Sequence, residues 1–298
     1  MAQAISCPCG GKIGDMAPTL QIHLAEVRDV AWTVTSVAGL IAGHGFRLRI
    51  PPGAPASDST SVYLSRVLQR ADLQLAYAAD SAADELTRSV EALMAYTIEA
   101  ATLARRTELV ITGLDVDDLM PSYAVTAPRP HRAIPNEPLP QPALDATDHR
   151  TLSDAVLLGN GGPMAFEPTD SAQLRAAAVT LRDCARRLRA AMSSGERPAA
   201  MLERFGIWVD EEFALAVVAR DEARASWVSA YNAAREEVAE PARLYLSWLS
   251  AAARGDDQER PSLRDAGARA RAAVRAYRGV HLTTPACGEH PRLGEGAG

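Results

Sequence analysis

The chain has 298 residues, 23% charged, 47% hydrophobic and 5% aromatic, with a formal net charge of −6. That length suits two domains of ordinary size, each able to bury a core without staples. The negative balance argues against general attraction to phosphate backbones or anionic lipid, so no nucleic-acid partner is expected. Four scattered cysteines, Cys7, Cys9, Cys184 and Cys287, are too few for a disulfide framework. Abundant alanine and the rarity of alternating β-branched or aromatic runs predict an all-α fold. The expected form is a bundle of long helical hairpins, in two helical halves joined by a proline-rich linker.

Residues 1–16 are glycine-rich without periodicity and read as a flexible tail. The N-terminal hairpin is placed at 17–120. Its first helix carries Leu24, Val27, Val30, Ala31, Val34, Val37, Ala38 and Ile41 at spacings of three and four, which is one helical stripe, and it is expected to end near Gly43 and Gly45. Pro51, Pro52, Gly53 and Pro55 then force a loop. Asp58, Ser59 or Thr60 can cap a second helix whose stripe runs from Leu64 through Leu75, Leu86, Val90 and Leu93 to Tyr96, ending at about Arg106. At ~1.5 Å per residue this helix approaches about 70 Å, too long for the first helix to cover, so part of its apolar face needs another partner.

Glu108 to Thr112 reads as a short strand or a frayed helix end closed by Gly113. Seven prolines between Pro121 and Pro142 mark a stiff linker, placed at 121–165. Asp154 to Leu158 is a possible short element within it. The C-terminal helical domain is placed at 166–280. Asp170 or Ser171 caps a helix with Leu174, Ala177, Ala178, Leu181, Ala185 and Leu188 on one side, and Gly195 and Pro198 end it. After a short piece at Met201 to Phe205, a further helix is expected from near Asp210 to Trp248, kinked or broken at Pro241. Ser262 with Asp265 has capping-box spacing for a last helix over 262–278, with Gly279 as its C-cap. Residues 281–298 read as a disordered tail.

The stretch from Leu20 to Arg106 resembles the helical hairpins of the PE family and its WXG-type relatives, which actinobacterial type VII secretion systems export. The resemblance rests on the first amphipathic helix, the turn RIPPGAPASDSTSV at 49–62 and the helix ADSAADELTRSVEALMAYTIEA at 79–100. Lys12 is the only lysine, a bias that fits a GC-rich actinobacterial genome. The resemblance implies pairing with a second hairpin into a four-helix bundle. Residues 170–254, with Trp208 near their turn, look like such a hairpin in the same chain. The partner-binding residues implied by the stripe and the resemblance are Leu86, Val90, Leu93, Tyr96, Glu99 and Trp208. Two family motifs are not matched. The export signal places an acid four residues after a tyrosine, whereas Glu99 follows Tyr96 by three. The WXG turn needs glycine two residues after tryptophan, whereas Val209 and Asp210 follow Trp208.

Candidate chemistry is sparse. Asp115, Asp117 and Asp118 are spaced to hold a divalent cation for phosphate or isoprenoid chemistry, but read first as a solvated acidic turn, since the second motif of a terpene cyclase is missing around Asn232, Glu236, Glu237 and Glu240. Cys7, Cys9, Cys287 and His290 offer four zinc-ligand types in CxC and CxxH pairs, looser than the usual structural site. His149 beside Asp148 and Asp154 lacks a partner for acid-base work, and Cys184 falls inside a helical stripe as a small buried residue. Gly159, Gly161 and Gly162 are not a P-loop, which needs a lysine before serine or threonine. Arg264, Arg269, Arg271 and Arg275 form no single stripe and read as a solvated face. No cofactor is called for. The expectation is a non-enzymatic helical interaction protein, with a helical partner or self-association and no membrane span. It is made in the cytoplasm and, if exported, leaves by a signal-peptide-independent route.

Overall fold

The computed structural model describes residues 23–54, 58–106, 162–257, 260–283 and 285–293. Within them the chain is all-helical, with no strand. The helices are α1 (Leu24–Leu48), α2 (Ser59–Arg106), α3 (Ser171–Ala191), α4 (Glu196–Trp208), α5 (Ala214–Ala253) and α6 (Arg264–Arg278), with a π turn at Val209–Phe213 joining α4 to α5.

The first hairpin forms where the stripes predict it. Leu24, Val27, Val30, Val34 and Ile41 of α1 are buried against Leu75, Ala79, Ala82, Leu86 and Val90 of α2. Helix α1 does not stop at Gly43 and Gly45 but continues to Leu48, because His44, Gly45 and Leu48 are themselves buried on the packed face. The proline segment is less a tight turn than a strap laid along α2. Arg49 pairs with Asp80, and Ser65 Oγ donates to the Pro52 carbonyl at 2.6 Å. The chain thus travels back along roughly the first third of α2 before Asp58 accepts from the Ser61 amide at 3.0 Å and caps that helix.

The consequence is an offset hairpin. Helix α2 has 48 residues against 25 in α1, and its N-terminal third has no α1 beside it. The second half of the chain covers that third. Leu64 and Leu68 pack with Trp227, Tyr231, Ala234 and Val238 of α5 and Tyr277 of α6, a smaller core distinct from the main one. Trp227 Nε1 donates to Tyr277 Oη at 3.3 Å, which leaves the tyrosine hydroxyl free to donate to Ser61 Oγ at 2.5 Å. Burial pushes the Tyr277 hydroxyl up to about 12.

The main core joins both halves. Leu174, Leu181, Ala185 and Leu188 of α3, with Met201, Leu202 and Phe205 of α4, share it with the first hairpin. Asp170 caps α3, its Oδ1 accepting from Ala172 at 3.1 Å. The turn from α3 into α4 requires glycine at 195, where a Cβ would lie 2.8 Å from the Leu188 carbonyl oxygen. Gly206 lets α4 lie against α3, since a Cβ there would stand 2.9 Å from the Ala178 oxygen.

Several expected boundaries are corrected. No helix begins at Asp210: α4, the π turn and α5 form one uninterrupted rod. The wider π turn keeps Trp208, Val209 and Phe213 on the buried side, with Trp208 and Phe213 stacked at 5.4 Å. Pro241 lies inside α5 without ending it. Beyond it Leu244, Leu246 and Leu249 are exposed. The capping box at Ser262 is not formed, since Leu263 takes the cap position with no side-chain bond, and Gly279 closes α6 at an ordinary φ of −80°. The tail expected to be disordered from His281 is placed along the bundle at 285–293 by contacts described below.

Between the two cores lies a buried ionic layer. Arg220 Nε and Nη2 donate to both oxygens of Asp72, at 2.5 and 2.9 Å, and Arg220 Nη1 donates to Asp221 at 2.8 Å. Asp221 also accepts from the Thr169 amide at 2.5 Å, so α2, α5 and the segment entering α3 meet at one point. Burial alone works against the Arg220 charge, yet its pKa is raised because the Asp72 hydrogen bonds and charge outweigh desolvation. Nearby, Asn232 Nδ2 donates to the Met164 carbonyl at 3.0 Å and its Oδ1 accepts from the Met164 amide at 2.9 Å. Asn232 therefore anchors backbone here, and Glu237 pairs with Arg269.

Truncating one partner of a buried pair strands the other charge, so Asp72→Ala is expected to lose about 3–5 kcal/mol in urea unfolding followed by circular dichroism. Removing all three charges, with Asp72→Leu, Arg220→Met and Asp221→Asn, should recover most of that loss. His44 gives a pH signature: it is buried with neither ring nitrogen hydrogen-bonded, and burial, reinforced by Arg47, lowers its pKa against the opposing charge of Asp170. The native state therefore favours the neutral ring. Its contribution is fully present above the unfolded value of about 6.5 and falls as pH drops below it, by at most about 1.4 kcal/mol per pH unit. Unfolding of His44→Leu across pH 5 to 8, chosen as roughly bracketing that value, should show this slope removed.

Candidate functional site

At the end of the bundle where α2 finishes, an apolar cleft of about 430 Å³ opens between α2, the α3–α4 turn and α4. Helical spacing supplies both walls. Ser89, Ala92, Leu93 and Tyr96 fall on one face of α2, and Arg197, Met201 and Arg204 on one face of α4, with Met192, Ser194 and Pro198 completing the lining. Tyr96 Oη donates to Ser194 Oγ at 3.0 Å across the mouth. Two methionines and a leucine give the cleft a deformable apolar floor, suited to an apolar side chain of a partner.

Leu293 closes the other side of this cleft. It belongs to an extended segment, 285–293, that lies along the seam between α2 and α4. The Leu293 amide donates to Glu85 Oε1 at 2.6 Å, Trp208 Nε1 donates to the Gly288 carbonyl at 2.8 Å, and the Gly288 amide donates to Glu212 at 3.3 Å. His290 stacks on Phe205 at 6.1 Å and lies 2.7 Å from Ser81 Oγ. Its Nδ1 faces the Pro291 carbonyl at 3.0 Å, which can only accept. Nδ1 therefore carries a proton, and in the neutral ring Nε2 accepts from Ser81. The segment is held by side chains on its neighbours and has no helical periodicity of its own, which is why composition alone reads it as disordered.

The predicted partner-binding residues separate into two groups. Leu86, Val90 and Trp208 lie in the interior of the chain's own bundle and present nothing to another molecule. There α1, α4 and the C-terminal segment pack over the stripe of α2. Leu93 is largely buried but lines the cleft, and Tyr96 and Glu99 are exposed at that end of α2. Cys287 and His290 are brought near Trp208 and Phe205, but as packing groups. Burial, reinforced by Glu212, pushes the Cys287 thiol up to about 12, the reverse of what a zinc thiolate needs. Cys184 is wholly buried and raised to about 11 by desolvation. Among the described residues no group of three or more His, Cys, Asp or Glu is placed to hold a metal ion. Cys7, Cys9, Asp115, Asp117, Asp118 and His149 lie outside the described residues.

Sequence reasoning missed the Asp72–Arg220–Asp221 layer and the C-terminal segment. The first had a signal, since Asp72 adjoins Ala71 within the apolar stripe; the second had none. No described helix is long and apolar enough to cross a membrane.

The geometry defines a helical bundle in which two long hairpins of one chain fold on each other and a C-terminal segment seals the seam. No family model matches the chain, and no curated protein matches it in sequence. Among solved structures it is similar to EspB from the ESX-1 type VII secretion system, with a TM-score of 0.54 over 92% of this chain and 98% of that chain, at 15% identity. At that identity the likeness is one of fold.

If His290 pins the segment, His290→Ala should loosen it. In a Cys7→Ser, Cys9→Ser background the native protein should react slowly with a thiol-specific disulfide reagent. His290→Ala should raise the rate at Cys287 by about tenfold while Cys184 stays protected.

Proposed function

We propose that the chain is a non-enzymatic helical interaction protein, working as a component or substrate of a type VII secretion system. The observation that carries this reading is the likeness in fold to EspB across almost the whole of both chains. The PE-like character of residues 20–106 and the WXG-like place of the second hairpin support it independently. On this reading one chain supplies both hairpins, so the pairing surface that separate partners would share is internal. Binding to other proteins then falls to exposed features, first the cleft beside Tyr96 and Glu99. The tyrosine-to-acid and tryptophan-to-glycine spacings of the family are not met, so an exported form would rely on a different signal. The metal-dependent enzyme reading rests on Asp115, Asp117 and Asp118, which lie outside the described residues.

The test uses an actinobacterial host with a working type VII system and an epitope-tagged chain. The protein is expected in the culture filtrate or bound to the secretion complex, and in neither place once the system's ATPase is deleted. Retention in the cell, unbound, in both strains would remove the secretion reading.

A further inference from the structure

At the opposite end of the bundle, α5 and α6 enclose a cleft of about 380 Å³ whose floor is Val238, Ala270, Val274 and Gly267. Arg271, Arg275 and Arg278 line the same cleft. Their spacing of four and three residues places them on one stripe of α6, spread over roughly 10 Å. This differs from the grouping expected from sequence. Arg269 lies on another face and is paired with Glu237 at 3.2 Å, so α6 carries one neutralised face and one cationic face turned to a cavity. Among the described residues Arg271 and Arg275 form no ion pair.

We infer that this cleft is a docking site for an acidic amphipathic helix of a partner protein. The guanidinium groups of Arg271 and Arg275, at i and i+4, match carboxylates repeated at the same interval on a helix laid alongside α6, and each pair can be bidentate. The floor is made of glycine, alanine and valine, so an opposing helix can approach closely and bury its own apolar residues beside the row of charge pairs. The charge pattern also selects against the other anionic partners. The chain as a whole carries −6, which repels a duplex or an anionic bilayer at long range, whereas a single narrow row of arginines in a cleft recognises a local row of acids. An isolated phosphate would use the guanidinium groups and leave the apolar floor unused. This inference stands whether or not the chain is exported.

The experiment measures fluorescence anisotropy of a short synthetic helix bearing glutamates at i and i+4 beside leucines, titrated with the full chain. Saturable binding that weakens with salt is expected. Arg271→Glu with Arg275→Glu should weaken it by at least about tenfold while circular dichroism is unchanged. Ala270→Trp, which fills the cleft and leaves the charges alone, should do the same, and the glutamine version of the peptide should not bind measurably. The inference is overturned by absence of saturable binding, by equal affinity of the charge-reversed chain, or by equal affinity for the glutamine peptide. Tighter binding to phosphatidylcholine vesicles containing phosphatidylglycerol, or competition by millimolar inorganic phosphate as effective as that by unlabelled peptide, would overturn it as well.

Discussion

A 48-residue helix cannot bury its apolar edge against a 25-residue neighbour, and the architecture follows from that mismatch. The proline-containing strap returns the chain to a point well beyond the end of α1, so α2 begins in a region where only the C-terminal half can cover it. Leu64 and Leu68 would otherwise expose a contiguous apolar patch. Trp227, Tyr231 and Tyr277 cover them, and in doing so they bind the two halves of the chain into one body.

The ionic layer at Asp72 and Arg220 acts where the two cores meet. Apolar stripes on helices tolerate sliding by a turn, since leucine and alanine repeat along them. A bidentate guanidinium–carboxylate pair does not, because a displacement by one turn would leave the Asp72 carboxylate buried and alone. We read the layer as the device that sets the register of α5 on α2. Thr169 and Asn232 extend it to the backbone entering α3.

The two ends of the bundle differ in chemistry. Near Tyr96 the surface is an apolar cleft bounded by methionines and Leu293; near Val238 it is a small-residue floor under arginines. Neither contains an assembled set of nucleophile, base and oxyanion donors, and the buried thiols of Cys184 and Cys287 are held in the unreactive protonated form.

Local patterning by itself determined that the protein is helical, where α1, α2 and α3 run, and that the edge of α2 needed more than one neighbour. Those features depend on spacings of three and four and on capping residues such as Asp58 and Asp170, which act within a few residues of themselves. Only the tertiary structure decided that the neighbour is the chain's own second half, that Leu86, Val90 and Trp208 are interior, and that 285–293 is ordered. The segment at 285–293 is held by Glu85, Ser81, Phe205 and Trp208, residues about 80 to 210 positions away. Contacts across such separations leave no periodic trace in the segment itself, and for the same reason Arg271, Arg275 and Arg278 became one site only once α5 was folded beside them.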